Sequence, residues 1–191
     1  RRSVCAIDGM KSTCTKPQAA TRQLDVAITL LFADYDPLAI RTLAAAAHEV
    51  LADLVEKKMP AGSWRTKIAE GSGLAKSAAM AAIHSGQNFL KHADRDPDAQ
   101  LDLDEEENDH LMFIATLECG ELGYPLSLDM QAFQIWYLAM YPEKIGVETQ
   151  PAITSRTAFP GFDSLTREER LRRGAEFAAR VKLRCGGEHA V

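Results

Sequence analysis

From about residue 18 to about residue 141, apolar side chains recur at three- and four-residue spacing, the repeat that gathers them on one face of an α-helix. Leu24, Ile28 and Leu31 mark a first helix over roughly 18–33. A second, over roughly 37–58, carries Ile40, Leu43, Ala47, Val50, Leu51 and Leu54. It opens where Asp36 can cap and Pro37 fits the first helical position. Leu74, Ala78, Ala82, Ile83, Phe89 and Leu90 define a third, over about 74–93. A fourth, over about 105–121, follows Asp104 as its cap, and Glu105, Glu106 and Glu107 suit the positive end of its dipole. The apolar run MQAFQIWYLAMY makes a fifth, over about 128–141. The last helix starts at Thr166, with Glu169 completing a capping box, and ends near Arg184 before Gly186 and Gly187. No stretch alternates with period two, so no strand is expected. The pattern predicts an all-α, single-domain bundle of five or six helices.

Two stretches break the periodicity. Residues 59–75 read as a Gly/Pro/Ser loop with one aromatic, Trp64, and residues 142–163, with Pro142, Pro151, Pro160 and Gly161, as a linker. The expected organisation is a tail over 1–16, a bundle core over 17–141, the linker, and a basic helix over 164–185 packed on the core or on a partner subunit. The sequence A-D-x-D-P-x-A occurs twice, at Ala33–Ala39 and Ala93–Ala99, each time after an apolar helix. It predicts one kind of joint used in two helical hairpins.

The composition narrows the class. At 191 residues and 46% hydrophobic the chain can bury one substantial core. A net charge of −5 argues against nucleic-acid binding through the field of the whole molecule. No apolar run approaches the roughly 18 residues that span a bilayer, and RRSVCAIDGM lacks the apolar centre of a signal peptide. Cys5, Cys14, Cys119 and Cys185 are scattered without C-x-x-C spacing, as free thiols in a reducing cytoplasm would be. No cofactor is expected.

Reactive side chains concentrate between His84 and Asp109. His84, Asn88 and His92 follow one another at four-residue steps and share a helical face, with Lys91 beside them. Such a face is either a general acid/base site or the polar border of an apolar one. Asp94, Asp96, Asp98, Asp102 and Glu105 fall at positions 1, 3, 5, 9 and 12 of a calcium loop. However, Ala99 stands where that loop's turn wants glycine, and helix capping explains several of the acids without metal. Glu107-x-x-His110 is half of a carboxylate-bridged di-iron signature, and its second half is missing. The terminal helix sets Arg167, Arg170, Arg172, Arg173, Arg180, Lys182 and Arg184 against Glu168, Glu169 and Glu176. It could hold RNA or dock onto the acidic joint, within or between subunits.

Arg41 and His48 lie two turns apart on the second helix, and Arg41-x6-His48 resembles the R-x(4–6)-H motif of HEPN-type ribonucleases. That resemblance implies RNA cleavage by an Arg and a His without metal, of the toxin or defence kind. The motif here sits on an earlier helix than in that family, and the alternative placement, Gln87 to His92, has Gln where Arg is expected. The stretches LDVAITLLFADYDPLAIRTLAAAAHEVLADL and NFLKHADRDPDA also resemble a family of uncharacterised bacterial helical proteins, which implies a fold and a shared motif and no activity. The leading expectation is a helical bundle, as a homo-oligomer, that binds a small ligand or a protein partner. Its site is expected at Arg41, His48, Asn88, Lys91 and His92. The alternatives are the HEPN-like ribonuclease and a divalent-metal protein built on Asp94 to Glu105.

Overall fold

The computed structural model describes residues 13–73, 75–91, 94 and 97–186; among these every regular element is helical and none is a strand. The α-helices are α1 Lys16–Phe32, α2 Pro37–Lys58, α3 Trp64–Ser72, α4 Lys76–Lys91, α5 Glu106–Glu121, α6 Leu128–Met140, α7 Gln150–Ala158 and α8 Arg167–Gly186. None of them is long and apolar enough to cross a membrane. The all-α class therefore holds, with more helices than the pattern predicts. Residues 59–75 are not an open loop: they contain a turn of 3-10 helix at Pro60–Gly62 and then α3. Residues 142–163 are not an extended linker either. Pro142 opens a 3-10 turn, Pro151 sits in the first turn of α7, and Gly161 takes φ 69° just before a third 3-10 turn at Phe162–Ser164. These prolines start helices, because a first turn does not need the N–H that proline lacks.

α1 and α2 form a hairpin whose joint uses Asp34 at φ 52° and Asp36 as a cap. Asp36 Oδ1 accepts from the backbone N–H of Leu38 at 2.8 Å and of Ala39 at 3.3 Å. α5 packs along α2 in the same direction. At their N-terminal ends Asn108 Nδ2 donates to the Pro37 carbonyl at 3.1 Å, and farther along His48 faces Glu118. The alanines of α2, including Ala44, Ala45 and Ala47, are buried and let its neighbours approach closely.

α8 closes the other side against α1 and α6. A Cβ on Gly174 would stand 2.4 Å from Phe32 and 2.8 Å from Trp136, so only glycine lets α8 come this near. The Trp136 indole N–H donates to the Arg170 carbonyl at 2.8 Å, and its ring meets Phe32 edge-on at 5.6 Å between centroids. At the start of α8 the Arg167 guanidinium grips buried Asp109 through two bonds of 2.8 and 3.1 Å and also reaches Glu105 at 3.3 Å. Lys182 pairs with Asp129 at 2.7 Å. Basic α8 thus docks within its own chain, on an apolar seam flanked by acids.

Candidate functional site

Between α2, α4 and α5 lies a pocket of about 230 Å³ lined by Arg41, Ile83, Glu107, His110, Leu111 and Ile114. Its walls are mainly aliphatic, and its polar groups gather around Arg41. That residue is only 2% exposed although it carries a charge. Its Nη2 donates to the Ile83 carbonyl at 3.0 Å, and Nη1 lies 3.4 Å from the carboxylate of Glu107, which is 54% exposed. Its Nε is buried with no hydrogen-bond partner among the described residues. Burial pulls the Arg41 pKa down, and Glu107 acts against that pull. A guanidinium remains charged even so, and has more donors than this surrounding uses. Gly86 makes the arrangement possible, since a Cβ there would come within 3.1 Å of Nε.

The opposite wall is set by an aromatic network. His110 Nδ1 shares a hydrogen bond of 2.9 Å with the Tyr137 hydroxyl, and its ring packs edge-on against Tyr137 and Tyr141. Burial lowers the His110 pKa, with Lys144 adding to the effect, so the ring is neutral near pH 7. Burial raises the pKa of both tyrosines, so they keep their protons. Tyr141 donates to Asp109 at 3.3 Å, which ties the wall to the Arg167 latch. Burial pushes the Asp109 carboxyl up, while Arg167 and Tyr141 pull it back.

A second group of charges lies deeper along the same seam. His48 is 1% exposed and its Nε2 is 3.7 Å from Glu118, itself fully buried. Neither Glu118 oxygen has a hydrogen-bond partner among the described residues. Burial pushes the Glu118 pKa up to about 8; Arg65 pulls it down, and Glu56 and Asp53 push it further up. Arg65, on α3, is held by Asp53 at 2.7 Å and Glu56 at 3.3 Å, and Ser63 donates to Glu56.

The other expected site residues are dispersed. Asn88 and Lys91 are exposed, and Lys91 reaches Glu49 at 3.8 Å. α4 turns Gly86 and Gln87 inward instead, and Gln87 donates to Glu49 at 2.9 Å. His92 and Asp96 lie outside the described residues, and only the backbone of His84 is described. Asp94, Asp98 and Asp102 are exposed, while Glu105, the expected twelfth ligand of a calcium loop, turns to Arg167. Among the described residues no three His, Cys, Asp or Glu side chains are grouped to hold a metal ion. Glu107 and His110, which the sequence offers as half a di-iron signature, come together instead with Arg41 around the pocket.

Comparison with family models, with curated proteins and with solved structures finds no match for this chain.

Proposed function

We propose that this protein binds a small ligand with a mainly apolar body in the pocket between α2, α4 and α5. The single observation that carries this reading is the pairing of an aliphatic cavity with a buried, under-satisfied Arg41 on its wall. Burying a charge that lacks enough partners destabilises a fold, so a core with no further use for Arg41 would do better with an apolar residue there. The volume suits a ligand somewhat larger than benzene, which fills a cavity of roughly 150 Å³. The ribonuclease alternative has less support. Arg41 and His48 lie two turns apart on α2, about 10 Å along its axis, and each faces a carboxylate of α5. His48 is also 1% exposed, which speaks against its contact with a phosphodiester.

The reading is tested with benzyl alcohol, a neutral probe of matching size, on protein carrying labelled isoleucine and leucine methyls. Saturable shifts at Ile83 and Ile114 are expected, together with their loss in Ile114→Trp, whose indole fills the cavity. Unmoved methyls up to the solubility of the probe would refute pocket binding.

A further inference from the structure

Resting on that reading, we infer that the ligand carries a carboxylate, which takes the place of Glu107 on the Arg41 guanidinium. The structure supplies three independent reasons. The first is donor count. Arg41 offers five N–H groups, and the described residues give it one good carbonyl bond and one long contact to a carboxylate. The second is the nature of the present partner. Glu107 is a flexible side chain on the first turn of α5, more than half exposed and 3.4 Å away, which is beyond the 2.7–2.9 Å of a charge-assisted bond. Glu107 can turn out into water, and a ligand carboxylate that replaces it keeps the buried guanidinium paired. The third is the shape of the approach. Arg41 and Glu107 both line the pocket, so a ligand that enters it meets the contact between them.

The remaining wall fits the same ligand. The hydrogen bond shared by His110 Nδ1 and the Tyr137 hydroxyl leaves Nε2 as the ring nitrogen free to meet a polar group of the ligand. Ile83, Leu111 and Ile114 would enclose the hydrocarbon part. A short monocarboxylic acid with an aromatic or branched aliphatic body matches one cation and three aliphatic walls. A phosphate ester, with two negative charges and three acceptor oxygens, would find one cation among the described residues of the pocket.

The test uses the full chain and three probes of one shape: benzoate, benzamide and benzamidinium, followed through the Ile83 and Ile114 methyls at constant ionic strength. Benzoate is expected to bind about tenfold or more tightly than benzamide, the ratio typical for a hydrogen bond that gains a charge. Benzamidinium is expected to bind weakest. Arg41→Gln should erase the preference for benzoate. Because Arg41 is buried and its replacement threatens the fold, Glu107→Gln provides a second arm: at a half-exposed position it should tighten benzoate severalfold and leave benzamide unchanged. Equal binding of benzoate and benzamide in the native chain, or a benzoate affinity indifferent to Glu107→Gln, overturns the carboxylate and leaves the pocket reading standing. If none of these probes nor benzyl alcohol moves the methyls, the pocket reading falls and the carboxylate with it.

Discussion

The two long seams of this bundle are built on opposite principles. Where α8 meets α1, α6 and the first turn of α5, aromatic rings interlock and the polar groups find partners. The Trp136 N–H has the Arg170 carbonyl, Asp109 has both arms of Arg167, and Lys182 has Asp129. Where α2 meets α5 and α4, Arg41 and Glu118 are sealed from water with hydrogen-bonding capacity left over. Satisfied seams hold a fold together, and incompletely satisfied ones mark where a protein gives up stability for another purpose. The comparison therefore sets the fully partnered seam on the α8 side against the α2–α5 side, where the proposed ligand pocket lies.

Glycine replacement at Gly174 should break the first seam. Alanine gains roughly 1 kcal/mol of helix propensity over glycine. Here its Cβ would overlap Phe32 at 2.4 Å and Trp136 at 2.8 Å, and both rings are locked in the core. Overpacking of this kind costs about 1–3 kcal/mol and occasionally more. Gly174→Ala is expected to lose about 2 kcal/mol net, measured by urea unfolding. A neutral or stabilised variant would show that α8 is free to shift.

Glu118 sharpens the comparison from the other side, because its burial should make the α2–α5 seam sensitive to pH. Its folded pKa, near 8, lies above the ordinary 4.5, so between those values the folded chain holds a proton that the unfolded chain releases. Stability must then fall as pH rises from about 4.5 to about 8 and level off above it. Glu118→Gln, which cannot ionise, should match the native chain near pH 4.5 and exceed it by roughly 1–3 kcal/mol at pH 8. The charged groups that modulate this difference are Arg65, Glu56 and Asp53, and the His48 ring stands 3.7 Å from the carboxyl. A gap between the two proteins that stays constant across this range would mean that Glu118 is ionised and satisfied in the fold.

How far these seams were legible beforehand follows from their chemistry. Helical class and the bounds of α2 could be read because one-face periodicity and the Asp36-Pro37 start act locally. α3 and α7 were missed because both are short, and their prolines and glycines look the same in a loop as at a helix start. Arg41 and His48 stood out by their two-turn spacing, Arg41-x6-His48, and their burial was not foreseeable, since it depends on which helix lies opposite. Glu118 left one signal that went unread: a lone carboxylate inside the apolar run of α5. Arg65 gave none, since a charge in a presumed loop is the commonest thing a loop contains. Glu107 and His110 were visible as a spaced pair, but their third member, Arg41, is 66 positions before Glu107, which no local motif can bridge.

The smallest expected effect tests the comparison most finely, because it repeats the Gly174 substitution on the other seam. Gly86 is also helical, and a Cβ there would stand 3.1 Å from Arg41 Nε and 3.4 Å from Cζ. The obstacle is the end of a long side chain, not a fixed ring, so a few tenths of an ångström of guanidinium movement relieve it. Helix propensity then offsets the crowding, and Gly86→Ala should change stability by less than about 1 kcal/mol in either direction. The displaced guanidinium should nevertheless lose part of its hold on the Ile83 carbonyl and on any carboxylate in the pocket. The expected result is a near-native urea midpoint combined with a reduced preference for benzoate over benzamide. A loss as large as that of Gly174→Ala would mean that Arg41 is as rigidly packed as Trp136, and the pocket side of the molecule would then be built like the α8 side.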